Sequence, residues 1–248
     1  SLVNLHSTAD QEDFSEPFDL RDAVLQEISS LREELAVVYK DIVKEAHNHI
    51  QPDDVIFTYG HSSSVESVLC DVVKTRPFKV LVAEAHPGGN GRLMAANLTR
   101  AGIPTTVVPD SNIFAIMPRV TKVIVGVHAV LANGVLLAHA GMNMAAKAAR
   151  HHSVPFIVCT GMYKLSPIFP YPKDVDSYSN LQSPAAVLPL RLLGNHSQTA
   201  ANPTNVPNPA YDYVPAEDVS LFLMEQAHDP SFLYRLLAEY YHPEDYEL

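Results

Sequence analysis

The chain has 248 residues, of which 47% are apolar, and its formal net charge is −11. This length fits one large domain, or one domain with a helical extension, and the apolar content is enough to bury a core. The acidic balance argues against direct binding to nucleic acid, because phosphate contacts need a basic surface. It leaves room for a local basic patch, or for an acidic face that meets a basic protein partner. No apolar run approaches the roughly 18 residues of a membrane span, so we expect no membrane association.

The first 50 residues divide into a polar lead-in and a long helical pattern. Residues 1–18 are polar, and we expect a flexible lead-in. Residues 19–50 then form a helical segment, interpreted as the end of an N-terminal helical domain, with the helix itself from about Leu20 to His49. Its apolar positions are spaced alternately four and three residues apart and make one continuous stripe: Val24, Ile28, Leu31, Leu35, Val38 and Ile42. The stripe fits a helix packed on its own domain, or a seam for another helix in a missing N-terminal part or in a partner.

From residue 51 to residue 248 the pattern is that of an α/β domain. Short runs at 55–59, 79–84, 105–108, 122–127 and 156–159 are continuously apolar rather than alternating, which is typical of strands covered on both faces. Helical patterns near 63–75, 91–101, 112–118 and 136–151 separate them. This alternation predicts a Rossmann-like, doubly wound, mostly parallel sheet.

The C-terminal third is less regular. We expect a mobile insertion at about 170–209, because it is rich in proline, asparagine and serine. A last strand is predicted at Tyr211–Val214, followed by a helix that starts near Pro215 and carries Val219, Phe222 and Leu223. Asp229-Pro230 predicts the start of a further helix, with the aspartate as its cap.

Ligands of open α/β sheets bind beyond the carboxyl ends of the strands, so the residues that follow each strand are the candidate site. They are Gly60, His61, Ser62, Glu84, Gly91, Asp110, His128 and Asn133. Glycine followed by hydroxyl residues at a helix N-terminus can hold an anion, although Ser62 also fits a simple helix cap. The glycines after the second strand match neither the dinucleotide fingerprint nor the phosphate-binding loop, so no nucleotide cofactor is predicted.

The two cysteines and twelve histidines do not predict a metal site. Cys70 and Cys159 each lie inside an apolar run, which favours buried free thiols and a reducing compartment such as the cytosol. The histidines show no HExxH motif and no paired His/Cys spacing. Gly-x-Ser-x-Gly is absent as well, so the motifs indicate no serine nucleophile. The chain begins Ser1-Leu2-Val3, and we expect it to be a fragment of a longer protein.

Segments spread over most of 52–248 carry a family resemblance: Thr58-Tyr59-Gly60, Glu84, Pro87, Gly91, Ala101-Gly102-Ile103, Thr105–Val108, Asp110, Val123-Ile124-Val125-Gly126, Asn133-Gly134 and Gly141. Together they resemble the family of the alpha, beta and delta regulatory subunits of translation initiation factor 2B and their sugar-phosphate isomerase relatives. The beta branch is suggested by Ala132-Asn133-Gly134, Lys164-Leu165-Ser166-Pro167, Tyr211-Asp212-Tyr213-Val214-Pro215, Leu233-Tyr234-Arg235-Leu236, Glu239 and Tyr241-His242-Pro243-Glu244-Asp245.

The departures from the isomerase pattern bear on function. Gly60 stands where the isomerases have a cysteine, His128 stands where they have an aspartate, and His139 replaces a lysine. Because isomerisation needs an acid and a base placed across the sugar, the resemblance implies a chain without catalytic residues. The alternative is an isomerase with an unusual active site, or a metabolite sensor derived from one.

The resemblance further implies a regulatory subunit of a guanine-nucleotide exchange complex. Its partners would be the delta subunit directly, the alpha, gamma and epsilon subunits, and initiation factor 2 as substrate. Small residues near 136–151 and apolar residues near 110–117 then suggest the subunit interface, although the small residues equally fit close packing on the chain's own sheet. The predicted interface residues are Phe114, Met117, Ala138, Gly141, Met142 and Ala145.

Overall fold

A computed structural model describes residues 20–169, 180–189 and 205–242. The chain divides into two compact units, residues 1–37 and 38–248. Helix α1 spans Leu20–His49 and contains the boundary between them, and its bounds are those that the apolar spacing predicts. The predicted lead-in, residues 1–18, lies outside the described residues.

A seven-stranded sheet forms the centre of the second unit. Its strands are β1 (Val55–Tyr59), β2 (Lys79–Ala83), β3 (Thr105–Val108), β4 (Lys122–Gly126), β7 (Phe156–Cys159), β9 (Leu221–Leu223) and β10 (Ala227–His228). The strand order is β10-β9-β7-β4-β1-β2-β3, and every neighbouring pair is parallel except β9 and β10. This confirms the predicted doubly wound, mostly parallel sheet.

Helices cover both faces of the sheet. They are α2 (Ser63–Val72), α3 (Asn90–Arg100), α4 (Ile113–Ile116), α5 (Met142–His151) and α6 (Leu233–Tyr240). The second half of α1 packs with α2 and α3 on one face, where Ile42, Leu69 and Leu98 are fully buried. Helices α4, α5 and α6 cover the other face. The central strands β1, β4 and β7 are buried on both sides, as their pattern predicts, whereas Thr106 and Val107 of the edge strand β3 are exposed, so the prediction is wrong for that strand.

The predicted helix at 136–151 is wrong in its first third. Leu136–His139 is strand β6, which pairs antiparallel with β5 (Ala129–Val130) and with β8 (Tyr211–Val214) in a separate three-stranded sheet. Strand β6 ends at His139, and Gly141, with a φ of +95°, is the N-cap residue of α5, so the helix begins only at Met142. The strand is specified by a partner far along the chain, which local periodicity does not reveal.

The helix predicted after Pro215 is also wrong. Residues Ala216–Asp218 form one 3₁₀ turn, and Leu221–Leu223 is strand β9, parallel to β7. Phe222 and Leu223 are buried on opposite faces of the sheet, which suits a strand and not one face of a helix. The helix after Asp229-Pro230 is confirmed, since a 3₁₀ turn at Pro230–Phe232 leads into α6, but the predicted cap is wrong in its chemistry, because the Asp229 side chain makes no capping hydrogen bond.

Within the predicted mobile insertion, Asn180 and Gln182 pair with the segment 208–210. The amide of Gln182 donates to the carbonyl oxygen of Asn208 at 2.7 Å, and the amide of Ala210 donates to the carbonyl oxygen of Asn180 at 2.8 Å. Residues 170–179 and 190–204 lie outside the described residues. Both cysteines are free thiols, Cys159 buried and Cys70 partly exposed. Within the described ranges, no helix combines the length and the apolar content that crossing a membrane requires.

Candidate ligand cavity at the carboxyl edge of the sheet

The strand order reverses at β1, with β2 on one side and β4 on the other. In open α/β sheets this switch point leaves a crevice beyond the strand ends, and ligands bind there. A cavity of about 270 Å³ occupies that position and is lined by His61, Ser62, Ser63, Gly126, Val127, His128, His139, Lys164 and Tyr211. Three of the predicted site residues, His61, Ser62 and His128, therefore lie together.

Ser62 caps helix α2 at the floor of this cavity. Its Oγ accepts a hydrogen bond from the amide of Val65 at 3.5 Å, which confirms the simpler interpretation of Ser62 as a helix cap. A Cβ atom at Gly126 would lie 2.1 Å from that Oγ, so only glycine fits at the end of β4. The N-terminus of α2, with its partial positive charge, is thereby placed at the switch point.

The walls of the cavity carry basic groups. The Lys164 ammonium donates to the carbonyl oxygen of Val127 at 2.9 Å, and the His128 ring lies 4.8 Å from that of Tyr211. Burial, together with the nearby His128, lowers the pKa of His139. The described residues that line the cavity include no carboxylate, although Glu66 lies 2.8 Å from His61 beside it. The Lys164 ammonium and the helix N-terminus would attract an anion, and the three imidazoles can donate hydrogen bonds to it.

Asp110 and Gly60 belong to a second cluster next to this cavity. The Asp110 carboxylate accepts hydrogen bonds from the amides of Ala85 at 3.0 Å and His86 at 2.7 Å. The Tyr59 hydroxyl donates to the carbonyl oxygen of Ala140 at 2.8 Å. Burial, followed by the carboxylates of Asp110 and Asp212, raises the pKa of Tyr59. Asp110 thus holds the loop that follows β2, and Gly60 lines a cavity of only about 50 Å³ against that loop.

The other predicted site residues serve local structure. Glu84 forms an ion pair with Arg92 at 2.9 Å. A Cβ atom at Gly91 would lie 1.9 Å from the carbonyl oxygen of Ala83, so glycine is required where the first turn of α3 meets the end of β2. Asn133 lies in the turn between β5 and β6, where its Oδ1 accepts from the amide of Val135 at 3.2 Å. It lines neither cavity.

Sequence reasoning did not select several residues that the structure places at the site. Lys164, which follows β7, and Tyr211, on β8 of the second sheet, line the larger cavity. His139, singled out only as the replacement of the isomerase lysine and not as a site residue, lines it from β6. Asp212 accepts hydrogen bonds from the amides of Gly141 at 2.7 Å and Asn143 at 3.3 Å, and so caps α5 from β8. The only signal for Lys164, Tyr211 and Asp212 was that they fall in segments shared with the beta branch.

Among the predicted interface residues, Phe114 is the one whose side chain is exposed. Its side chain is 53% exposed and packs its ring 5.0 Å from that of His151 and 4.8 Å from that of His152. Met117, Ala138, Met142 and Ala145 are buried in the chain's own core, and Gly141 is half-buried. The α5 alanines are therefore packed beneath the surface. Within the described ranges, no three potential ligand side chains are grouped to hold a metal ion.

The sequence is similar to known initiation factor subunits. Residues 2–227 match the Initiation factor 2 subunit family. The translation initiation factor eIF2B subunit beta of Dictyostelium discoideum is 42% identical over 244 residues, which cover 95% of this chain and 60% of that protein. The beta subunit of Schizosaccharomyces pombe is 39% identical over 230 residues, covering 92% and 57%. The chain thus spans about 60% of the length of these curated relatives.

Solved structures share the fold. The eIF2B beta crystal structure from Chaetomium thermophilum superposes with a TM-score of 0.68 at 26% identity, over 91% of this chain and 60% of that one. A chain of the tetrameric eIF2B-beta2-delta2 complex from the same organism gives 0.68 at 26%, over 89% and 65%. The 5-methylthioribose 1-phosphate isomerase of Pyrococcus horikoshii OT3 gives 0.73 at 22%, over 91% and 65%, which shows a common fold. The chain belongs to the Initiation factor 2 subunit family.

Proposed function

We propose that the chain is part of a beta-type regulatory subunit of the exchange factor that loads translation initiation factor 2 with guanine nucleotide. The observation that carries this proposal is the 42% identity to a beta subunit over 95% of the chain. Its work would be to support assembly of the complex and its response to phosphorylated initiation factor 2. The direct partner would be a delta subunit, with alpha, gamma and epsilon subunits in the same assembly, and the setting would be the cytosol.

Pairing with a delta subunit is supported by the relative from Chaetomium thermophilum, whose structure is a tetramer of beta and delta subunits. The test is to purify the chain alone and mixed with a delta subunit, and to measure both masses by analytical ultracentrifugation. We expect a stable complex with one delta subunit for each chain. The proposal is contradicted if the chain and the delta subunit sediment separately at about 10 μM, a concentration well above the dissociation constants of ordinary specific complexes.

We propose that Phe114 anchors this pairing, on the surface formed by α4 and the end of α5. The ring is half exposed although large aromatic side chains usually find cover, and such residues often anchor interfaces. Met117, Ala138, Gly141, Met142 and Ala145 would support that surface from below. The variant Phe114→Ala should weaken delta binding by about 1–2 kcal/mol. Tyr234→Ala removes a 73% exposed aromatic ring elsewhere and serves as the matched control.

We propose further that the chain does not isomerise sugar phosphates. Gly60, His128 and His139 occupy the positions where the isomerase pattern has a thiol, a carboxylate and an ammonium group, and the last two residues line the switch-point cavity. Incubation with methylthioribose 1-phosphate or ribose 1,5-bisphosphate should give no product above background. Turnover in the ordinary enzyme range, about 1–1000 per second, would overturn the regulatory proposal in favour of an isomerase.

A second candidate function is sensing of an anionic metabolite in the same cavity. It is supported by the three imidazoles, Lys164 and the N-terminus of α2 around about 270 Å³ of space. Calorimetric titration with inorganic phosphate and with a sugar phosphate tests it. We expect weak binding that Lys164→Met removes and that Lys79→Met, which changes an exposed lysine elsewhere, preserves. Absence of heat with both ligands would contradict the sensor.

A further inference from the structure

A groove of about 720 Å³ runs between the second half of α1 and helix α2. Both walls belong to the unit of residues 38–248. It is lined by Tyr39, Lys40, Val43, Lys44, His47, Ser67, Cys70, Asp71 and Lys74. Tyr39, Val43 and Cys70 are half-buried and give the floor apolar character, while the lysines are exposed at the rim. The groove lies on the face of the sheet that α1, α2 and α3 cover, and it shares no lining residue with the switch-point cavity.

The charge of this groove is opposite to that of the whole chain. Its lining holds three lysines and a single carboxylate, whereas the chain as a whole has 28 acidic and 17 basic residues. Asp71 is already engaged, since its carboxylate lies 2.7 Å from the Lys74 ammonium and 3.9 Å from His47. Among the described residues, no carboxylate contacts Lys40 or Lys44. Two unneutralised ammonium groups therefore project along one edge of the groove.

The spacing of the charged side chains on α1 determines which ligand can match this edge of the groove. Lys40 and Lys44 are one helical turn apart and share a face, so they repel each other. Glu45 is turned away and lies 3.2 Å from both His49 and Asn48. A ligand with two carboxylates spaced by one helical turn would match the two lysines, and an apolar side chain between them would reach Val43 and Cys70.

We propose that the groove between α1 and α2 docks an acidic, amphipathic segment of a protein partner. The occupant carries two carboxylates one turn apart that face Lys40 and Lys44, with an apolar side chain on the floor. Nucleic acid fits less well, because only three lysines line the groove and its floor is apolar. The proposal is independent of the regulatory function, since it uses neither the switch-point cavity nor the surface around Phe114.

Because Cys70 lines the groove, the rate of its alkylation measures whether the groove is occupied. Cys159 is fully buried, so iodoacetamide should modify Cys70 alone in the folded chain. Burial and the nearby Glu66 raise the pKa of Cys70, so the reaction is followed at mildly alkaline pH. The probe is a synthetic helical peptide of about 12 residues, ~18 Å long, with glutamates flanking a central leucine. The control peptide has glutamine in place of both glutamates.

We expect the glutamate peptide to slow alkylation of Cys70 and the glutamine peptide to leave it unchanged. The double variant Lys40→Glu/Lys44→Glu should weaken peptide binding roughly tenfold or more, and the double arginine variant should retain it. Lys79→Glu changes the charge of an exposed lysine on β2, outside the groove, and should leave binding unaffected.

Four results would overturn the proposal. They are equal protection by both peptides, equal weakening by Lys79→Glu, stronger protection by a short RNA than by the glutamate peptide, and no protection by either peptide. A further contrary result is a chain that dimerises through the groove, with Cys70 already protected at high protein concentration and exposed on dilution. None of these results bears on pairing with a delta subunit, which is measured separately by mass.

Discussion

Helices α5 and α1 each carry an apolar pattern that suggested a contact surface, and they differ in what covers that pattern. On α5, Ala145, Ala146 and Ala149 are completely buried against the chain's own core. On the first half of α1, Val24, Ile28 and Leu31 are each about half exposed, although their spacing is as regular as that of any buried helix. The small residues mark close packing inside the unit, and the large ones remain accessible.

The two helices differ in the size of their apolar side chains and in whether another element packs against those side chains. Alanines bring α5 close to its sheet, so they are covered by the chain itself. Further along the same stripe of α1, Ile42 and Ala46 are fully buried. Periodicity therefore identifies the apolar face of a helix, but only a neighbouring element decides whether that face is covered.

Apart from the reference variant Ile42→Ala described below, the largest effect is expected at the start of α5. Gly141→Ala should lower the free energy of unfolding by about 3 kcal/mol, because Gly141 has a φ of +95° and its added Cβ would lie 2.0 Å from the Tyr59 hydroxyl. Urea denaturation measures the loss. Gly102→Ala is the matched control, since Gly102 has a φ of +86° with open space around it, and should lose only about 1 kcal/mol. Equal losses would show that the contact with Tyr59 does not matter.

A larger side chain inside α5 tests whether its alanines are closely packed. Ala146→Leu should destabilise the chain by about 1–3 kcal/mol, because Ala146 is fully buried and three added carbons have no space. Met144→Leu on the same helix changes a 46% exposed residue and should stay within about 0.5 kcal/mol. Thermal and chemical unfolding check both variants. An unchanged stability for Ala146→Leu would mean that α5 is loosely seated.

The cap that β8 provides should contribute less. Asp212→Asn should cost about 1 kcal/mol, because the two amides of Gly141 and Asn143 lose a charged acceptor at the N-terminus of α5. Hydrogen exchange should then show faster exchange at the first turn of α5. Asp229→Asn is the control, since Asp229 precedes α6 without a side-chain cap hydrogen bond. Similar losses of stability in both variants would show that the Asp212 cap does not contribute specifically to α5.

The smallest effect is expected on the first half of α1. Leu31→Gln should change the stability of this chain by less than about 0.5 kcal/mol, because Leu31 is 50% exposed. Ile42→Ala, lower on the same stripe, should cost about 2–4 kcal/mol, since that side chain is only 1% exposed. Urea denaturation of both variants under the same conditions compares their free energies of unfolding. A large loss for Leu31→Gln would show that the upper stripe is covered in solution.

The sequence predicts the centre of the sheet well because β1, β4 and β7 are buried on both faces and are largely continuous apolar runs. It fails at Leu136–His139 because the pairing with Tyr211–Val214 depends on residues far along the chain, and because the helical pattern of the α5 alanines extends backwards into this segment. It fails at Leu221–Leu223 for a similar reason, since that strand pairs with β7, which lies about 60 residues earlier in the chain.

The candidate site was predicted in part. Residues directly after β1 and β4 could be identified, because parallel strands end at a common edge. Lys164 and Tyr211 reach the same cavity from segments whose position depends on tertiary structure. Asn133 was misplaced because its Asn-Gly pair serves the turn between β5 and β6.

The pairing of β7 with β9 has a consequence for how the chain acquires its structure during synthesis. Strand β7 is complete at Cys159, but its neighbour begins only at Leu221, after the whole intervening stretch has been made. Until then the growing chain presents β7 as an open sheet edge, which is a template for unwanted association. Nascent chains halted before Leu221 should therefore aggregate or recruit chaperones, whereas chains that extend past Leu223 can close that edge.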